Sequence, residues 1–334
     1  MIFINNRTKM AVRIAFVLIL IAIIVYTFRD SAGPILAELK ETSLWVIFII
    51  SVLAVIYELV EGWITYSFAR KYNPSFTYRM GVESAFYCSF YRVATLGGGA
   101  GIAAVYYFNE KGIEVSKGTG MYMVEYVLHK VGIAIFSAIF FLVSFGFMSE
   151  HYGGYTWMLI AGYGITIVIA VILLLFGCSK RFHSLLLWLA DKLNRKGRFD
   201  EQRALLQSQC VILEQASSKL LHEKRFVLGI LGKNLLKFAF WYSIPYFVLM
   251  DTGAVTLPQA MAVTSLSVML AAVLPSPAGI GSTEFVLAML FEVLVGDGAA
   301  GSATLLYRFA TFVLPFVIGA AIVVARRISR RKKL

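Results

Sequence analysis

Leu44 to Ala69 reads LWVIFIISVLAVIYELVEGWITYSFA, a stretch whose only charged residues are Glu58 and Glu61. It is longer than the roughly 20 apolar residues with which a helix crosses the hydrocarbon core of a bilayer. The rest of the 334-residue chain is similar, since 59% of its residues are hydrophobic and only 15% are charged. Soluble domains are about 25% charged. The sequence therefore predicts an all-α polytopic membrane protein.

The net charge of +12 lies mainly in the connections between apolar runs. Nucleic-acid binding would need basic side chains gathered on one solvated face, with base-reading or stacking partners. Orientation in a membrane explains the charge better, so we expect no nucleic acid partner. Cys88, Cys178, Cys210 and the scattered histidines show no metal-ligand spacing, and we expect neither a metal nor a cofactor.

Short loops rich in basic residues usually lie on the cytoplasmic side of the membrane, so the Lys and Arg content of each loop predicts its side. Connections poor in Lys and Arg are expected outside, at 29–43, 148–154, 251–256 and 296–301. Both termini are then cytoplasmic, and the expected location is the cytoplasmic membrane of a prokaryote. Most of the 31 Lys and Arg residues lie in five segments, namely 1–13, 70–79, 109–118, 179–225 and 326–334.

Two apolar segments begin and end on the same side of the membrane under this assignment. Residues 81–108 lie between two cytoplasmic loops, and residues 257–295 lie between two outer loops. Their arms are too short for comfortable full crossings. Each segment is predicted to be a re-entrant hairpin, with tips at 97–101 and 275–281. A pair of short, tilted spans is the alternative in each case.

The prediction for residues 1–334 is one membrane domain with six spanning helices and two oppositely oriented hairpins. The order span, hairpin, span occurs twice, in a first unit at 44–147 and a second unit at 226–325. Inverted repeats of this kind build many transporters. The other segments are a retained first span with its outer loop at 11–43, a connecting span at 148–178, an amphipathic or solvated linker at 179–225 and a basic cytoplasmic tail at 326–334.

Residues 274–284 read LPSPAGIGSTE and contain the pattern Pro-x-Pro-x-Gly-x-Gly-x-x-Glu. Together with Arg308, Leu314-Pro315, the glycine-rich segment 95–101 and Glu125, this pattern resembles the lysylphosphatidylglycerol synthetase membrane-domain family, also called flippase-like domain proteins. The resemblance covers most of residues 44–325. It implies lipid handling, in particular the movement of a phospholipid or a polyprenyl-linked lipid between leaflets.

The sequence departs from the family pattern in two places. The first tip consists of glycine and alanine where the family is associated with a proline. The chain ends at Leu334 in a basic tail, so the resemblance does not include the soluble aminoacyl-transferase domain of the full synthetases. We therefore expect that the chain does not make lysyl-lipid.

Both predicted tips precede helix N-termini, whose free amides and dipole favour an anion. Arg308 is the strongest candidate for a lipid phosphate, because a guanidinium donates in a fork to phosphate oxygens. Arg92 is its counterpart in the inner hairpin. The alternative for the glycines is close helix packing. The residues assigned to phosphate binding are Arg308, Arg92, Gly97, Gly98, Gly99, Gly101, Pro275, Pro277, Gly279, Gly281, Ser282 and Thr283.

A second group of polar side chains in apolar segments is assigned either to the coupling of transport to a proton or cation, or to ion pairs. Glu284 is expected to cap a helix, to take up a proton or cation, or to pair with Arg308. Glu125 and His129 share a helix face and are candidates for proton transfer, with buried ion pairs to Arg92 or Lys130 as the alternative. The members of this group are Glu284, Glu125, His129, Glu58 and Glu61.

Two lysines near the cytoplasmic end of the second unit are weaker candidates. Lys233 and Lys237 lie within about three helical turns of that end, a distance over which a lysine side chain can reach the interface. Both lysines could therefore snorkel to the membrane surface, which would make them weak candidates for the site.

These features favour a lipid transporter whose partner is a membrane lipid with an anionic headgroup. A secondary carrier for a soluble organic anion and a scaffold for a lipid-modifying enzyme are the alternatives. A membrane enzyme is disfavoured, because the chain contains no HExxH, GxSxG or P-loop pattern. The sequence leaves open a homo-oligomer and a partner lipid-modifying enzyme.

The charge distribution generates a prediction that cysteine labelling tests. Single cysteines introduced in 109–118 should react from the cytoplasmic side, and those in 296–301 from the outside. If cysteines at Gly81 and Asn109 were labelled from opposite sides, residues 81–108 would cross the membrane and the inner hairpin would be wrong.

Overall fold

The computed structural model describes residues 32–155, 217–272 and 281–331, together with isolated positions between 160 and 215. Every element within these ranges is helical. Three helices are long and apolar enough to cross a membrane: Leu44–Ala69, Val115–Val143 and Ser282–Ser329. The predicted all-α membrane fold is thereby confirmed. The predicted first span, the outer tip at 275–280 and most of the connecting span and linker lie outside the described residues.

The helices of the described ranges are numbered in chain order. They are α1 (Ala32–Glu41), α2 (Leu44–Ala69), α3 (Tyr78–Ala94), α4 (Gly99–Glu110), α5 (Val115–Val143), α6 (Phe145–Tyr152), α7 (Lys224–Tyr242), α8 (Ile244–Leu249), α9 (Leu257–Ala271), α10 (Ser282–Arg308) and α11 (Leu314–Arg331). Short 3₁₀ turns occupy Gly153–Tyr155 and Met250–Thr252, and a π-helical turn occupies Phe309–Val313.

Hydroxyl side chains mark where several of these helices begin. The Ser43 hydroxyl accepts a hydrogen bond from the Trp45 amide at 3.3 Å, and the Thr77 hydroxyl accepts one from the Met80 amide at 3.4 Å. At α9 the Thr256 amide donates to the Gln259 side chain at 2.8 Å. Such contacts satisfy amides that have no partner inside the helix. The starts of these helices are therefore determined by local sequence.

Three predicted outer loops are largely helical in the structure. Residues 29–43 include α1, and residues 148–154 include the end of α6. At 296–301 only Gly296 leaves the helical conformation, with φ 76° and ψ 167°. Glycine adopts this positive φ without a side-chain clash, so one residue is enough to break the helix.

The break at Gly296 matters because of length. Ser282–Ser329 contains 48 residues, which as one straight helix would measure about 72 Å at 1.5 Å per residue. The hydrocarbon core is about 30 Å thick. The segment is therefore longer than one crossing requires, and the break at Gly296 divides it.

Glycines bring several helix pairs into backbone contact. A Cβ atom on Gly62 of α2 would lie 2.6 Å from the Val82 backbone of α3, and a Cβ on Gly81 would lie 2.2 Å from the Gly62 carbonyl oxygen. A Cβ on Gly319 of α11 would lie 2.3 Å from the Phe86 carbonyl oxygen of α3. Small residues allow such close approach in membranes, where packing rather than hydrophobicity drives helix association.

The two predicted units exchange contacts reciprocally. Helix α11, at the end of the predicted second unit, packs on α3, the first arm of the predicted inner hairpin. Helix α5, at the end of the predicted first unit, packs on α9, the first arm of the predicted outer hairpin. Helices α2 and α7, which open the two predicted units, pack against each other. Residues 44–147 and 226–325 thus contact each other through several helices.

The buried side chains form three clusters that follow one another along α2. The first packs around the N-terminal half of α2, and the last around its C-terminal end. A smaller aromatic cluster lies between them. Representative members are Ile50, Leu287 and Phe291 in the first cluster, Tyr57, Phe136 and Phe238 in the middle one, and Phe68, Tyr107 and Phe108 in the last.

The α2–α3 contact predicts the sign of a glycine substitution. Gly62→Ala should lower the Tm in detergent, because a Cβ there must displace backbone, and overpacking costs about 1–3 kcal/mol. Gly229→Ala is the matched control, since no atom lies within 4 Å of a Cβ at Gly229. It should leave the Tm unchanged or raise it, because alanine is the better helix former. Equal Tm values for the two variants would contradict the close packing.

Candidate functional site

Arg308 lies at the end of α10 and is only 7% exposed. Its Nε donates to Glu284 Oε1 at 2.8 Å, and its guanidinium carbon lies 3.5 Å from the centre of the Phe312 ring. The other carboxylate oxygen of Glu284 accepts a hydrogen bond from the Gly281 amide at 3.0 Å. Glu284 therefore caps α10 and pairs with Arg308 at the same time, which are two of the roles that the sequence offered for it.

A π-helical turn, Phe309–Val313, follows Arg308 directly. Pro315 accounts for it, because proline has no N–H to give to the carbonyl of Thr311 and its ring crowds that carbonyl. The Thr311 hydroxyl donates to the Tyr307 carbonyl at 2.8 Å. Such π-turns are rare and frequently occur at functional sites. Sequence analysis missed this turn, although Pro315 was the available signal.

Arg92 lies near the end of α3, and its Nε is buried without a hydrogen-bond partner among the described residues. Its charge acts on Glu58, on the same side of the site, and also on Arg308. Glu58 is 2% exposed and accepts a hydrogen bond from the Ser89 hydroxyl at 2.9 Å. The structure thus brings the two predicted phosphate-binding arginines within electrostatic range of one another.

Lys237 of α7 is 1% exposed and pairs with Glu61 of α2. Its Nζ also lies 2.9 Å from Nδ1 of His129 in α5. An ammonium group only donates, so Nδ1 accepts and His129 is neutral with its proton on Nε2. Lys237 thereby joins the second unit to two helices of the first.

Lys237 does not snorkel towards the membrane surface, although its position near the helix end would allow it. The lysine finds its partners inside the bundle, where Glu61 and His129 satisfy its charge. Lys233, one turn earlier, donates to the Ser67 hydroxyl at 2.6 Å and lies 4.3 Å from the Trp63 ring centre. The sequence placed both lysines on one helix but could not show which acids face them.

Glu125 is 7% exposed and accepts a hydrogen bond from the Thr65 hydroxyl at 2.8 Å. The expected ion pairs with Arg92 or Lys130 are replaced by other contacts: Lys130 lies 5.4 Å from the Tyr126 ring centre. Glu125 and His129 thus have separate hydrogen-bond partners in α2 and α7. Proton transfer between them stays a prediction.

The inner tip is a tight turn between α3 and α4. Gly97 has a φ of 94°, and the Gly99 amide donates to the Thr95 hydroxyl at 2.6 Å. A Cβ on Gly101 would lie 2.7 Å from the Tyr122 ring. Turn geometry and packing thus account for these three glycines, as in the alternative interpretation of the tip, and one amide expected to be free for a phosphate is occupied.

The remaining predicted tip residues divide into two sets. Gly98 has open space beside it, since a Cβ there would lie 3.9 Å from its nearest neighbour, the Thr95 carbonyl oxygen. Gly281, Ser282 and Thr283 form the start of α10, beside Glu284. Pro275, Pro277 and Gly279 lie outside the described residues.

Residues assigned to the cytoplasmic tail are partly helical and packed. Helix α11 extends to Arg331, and Arg326 pairs with Glu83 at 2.9 Å and with Glu110 at 2.5 Å. Its guanidinium lies 4.4 Å from the Tyr107 ring centre. Helix α11 thus continues into the predicted tail at 326–334, and these acids bring Arg326 into contact with α3 and α4. The cytoplasmic location of the tail stays a prediction.

Within the described ranges, no group of three or more His, Cys, Asp or Glu side chains is arranged to hold a metal ion. The polar groups instead form ion pairs and hydrogen bonds between helices. Charged residues inside membrane helices are costly and mark functional sites when they face a cavity or a ligand.

The fold and these buried charges define a multi-pass, all-helical membrane protein. A family model described as lysylphosphatidylglycerol synthase TM region matches residues 10–319. The chain therefore belongs to this family, and the resemblance found in the sequence is confirmed. Membership connects the chain with a function in membrane lipids. No curated protein matches the chain.

The position of Lys237 predicts a large effect of its removal. Lys237→Met should lower the Tm strongly, because breaking a buried ion pair from one side costs about 3–5 kcal/mol. Lys233→Met, on the same helix but more exposed, should have a smaller effect.

A second substitution tests whether the unpaired carboxylate of Glu61 causes this loss of stability. Adding Glu61→Gln to Lys237→Met should restore part of the Tm, since it removes the unpaired carboxylate. A Lys237→Met variant as stable as the wild type would show that the pair does not hold the units together.

Proposed function

We propose that the protein is a lipid transporter that moves a phosphate-bearing lipid between the leaflets of a prokaryotic cytoplasmic membrane. Family membership supports a lipid as the substrate, and the buried arginines support a phosphate group on that lipid. The ligand would be a phospholipid or a polyprenyl-linked lipid whose headgroup is anionic. No enzymatic step is part of this proposal.

The observation that carries the proposal is the pair of arginines in the apolar interior. Arg308 uses its Nε to bind Glu284, which among the described residues leaves the two terminal nitrogens of the guanidinium as donors for an anion. Arg92 adds a buried Nε without a partner among the described residues and a second positive charge within range of the first. Two nearby cations in an apolar setting repel one another, and an anion between them removes that cost.

The proposed architecture is the inverted repeat of six spans and two re-entrant hairpins, with both termini in the cytoplasm. Its support is the reciprocal packing of α11 on α3 and of α5 on α9. The short length of α9, Leu257–Ala271, also supports it, because 15 residues rise only about 22 Å. The hairpin ends would then meet near the middle of the membrane, where transporters of this type bind substrate.

In the proposed mechanism the headgroup enters the protein while the acyl tails remain in the bilayer. The arginines hold the phosphate, and the site opens to one leaflet and then to the other. The π-helical turn after Arg308 is a natural place for local rearrangement, because its backbone hydrogen bonds already depart from the α-helical pattern. A change there would move Arg308 relative to Glu284.

Arg308 variants test this proposal in vesicles that contain a fluorescent phospholipid. Arg308→Ala should reduce transport at least about tenfold, because a hydrogen bond to a charged group contributes about 1.5–3 kcal/mol. Arg308→Lys should recover only part, since an ammonium cannot replace the guanidinium fork. Arg70→Ala, which removes an exposed arginine, is the matched control and should transport normally.

Two results would contradict the proposal. The first is an unfolded Arg308→Ala protein that Glu284→Ala restores, because Arg308 would then be a structural ion-pair member. The second is uptake of water-soluble glycerol phosphate in place of lipid transport, which would make the protein a carrier of a soluble organic anion.

A further inference from the structure

A cavity of about 590 Å³ lies between α3, α4 and the C-terminal part of α11, away from Arg308 and Arg92. Five charged side chains line it: Arg79, Glu83, Glu110, Lys111 and Arg326. The volume is in the range of small-molecule binding sites. The charges of the lining residues and the shape of the closed end indicate which kind of ligand the cavity would bind.

Both acids of the cavity pair with one arginine, which offsets one of their two negative charges. Arg326 lies between Glu83 and Glu110, at 2.9 Å and 2.5 Å. Arg79 is exposed on the rim, and Lys111 lies 5.3 Å from the Tyr107 ring centre. The lining therefore has three basic groups against two acidic ones, a net charge of one positive. Arg79 and Lys111 are the basic groups outside the ion pairs of Arg326, and the net positive charge favours an anion over a cation.

The other part of the wall is apolar. Val82 of α3 and Ile322 and Ala325 of α11 line the cavity below the charged groups. Further along the same two helices the gap closes, because the Gly319 position contacts the Phe86 backbone. The cavity is thus a blind cleft with an apolar wall and a basic rim. This shape suits an amphiphile with a negative head and an apolar tail.

The cleft lies at the end of the bundle that carries the basic connections 70–79 and 109–118. Under the proposed topology this end faces the cytoplasmic leaflet, which is rich in anionic lipid in many membranes. Basic residues near such a surface attract anionic headgroups, and the attraction grows with the number of Lys and Arg residues.

We propose that this cleft binds the phosphate-bearing, anionic headgroup of a phospholipid of the cytoplasmic leaflet, through Arg79 and Lys111. It would be a second lipid site, separate from the pair Arg308 and Arg92. Its role as a loading site for transport rests on the proposed function, but lipid binding at the cleft can be measured without transport.

The test uses the purified full chain in detergent, with fluorescent phosphatidylglycerol and phosphatidylcholine as probes. The wild type should bind phosphatidylglycerol more tightly, and the double variant Arg79→Ala/Lys111→Ala should lose roughly tenfold in affinity for it. Arg70→Ala/Lys117→Ala removes the same charge on the same side but outside the cleft. Because it keeps the basic residues of the cleft, it should lose much less affinity than the cleft variant does.

A steric variant keeps the test independent of charge. Ala325→Trp fills the apolar wall without changing any charge and should also weaken phosphatidylglycerol binding, while the Tm shows whether the variant is folded. If it binds normally when folded, or if both double variants lose the same affinity, the cleft is not the lipid site. Equal binding of the two lipids by the wild type would also overturn the inference.

Two further measurements separate the possible sources of the signal. Soluble glycerol phosphate should compete poorly with the lipid, and full competition at similar concentration would indicate a free-phosphate site instead. The loss of affinity caused by Arg79→Ala/Lys111→Ala should persist when Arg308→Ala is present in both proteins, so its disappearance would mean that the probe reports on the central site. If the wild type binds at the cleft but does not transport lipid, the proposed function fails while this inference stands.

Discussion

A charge inside an apolar bundle must find its partner within the protein, and the rest of this structure depends on how Lys237 does so. Its contacts with Glu61 in α2 and His129 in α5 join three helices from two units. The cost of burying an ammonium makes this arrangement specific, because any relative shift of the helices leaves a charge without a partner. The close contacts at glycine then fix the distances between helix axes, whereas the ion pair fixes their register.

The same constraint explains which parts of the structure the sequence could predict. The bounds of α2 follow from its long apolar run and from the Ser43 cap, both of which are local. The break at Gly296 is predicted as a loop, since glycine is a local signal, but the loop is shorter than expected. Partners across helices were not predictable, because Glu61 and Lys237 are 176 positions apart and a single sequence does not say which helix faces meet. For the same reason the contacts of Arg326 with Glu83 and Glu110 were not predictable.

In the candidate site, too, features set by neighbouring residues were easier to predict than contacts between residues far apart in the sequence. Glu284 and the start of α10 are close in sequence, so the cap was visible there, and the ion pair with Arg308 was one of few choices for a buried arginine. The glycines of the inner tip had two explanations, and the distances favour turn geometry and packing at Gly97, Gly99 and Gly101. The π-turn was missed because its cause, Pro315, lies after the residues that it affects.

Two places in the structure combine arginine with an apolar wall, and their differences suggest different tasks. Arg326 is held by two carboxylates and two tyrosine rings, so its position is fixed, and Arg79 and Lys111 remain to bind a ligand in the cleft. Arg308 is held by one carboxylate beside a π-turn and lies in the field of a second cation. Many fixed contacts suit a residue that shapes the cleft, whereas a single partner suits a residue that releases and rebinds a ligand. The proposed path from a leaflet to a central site would need both.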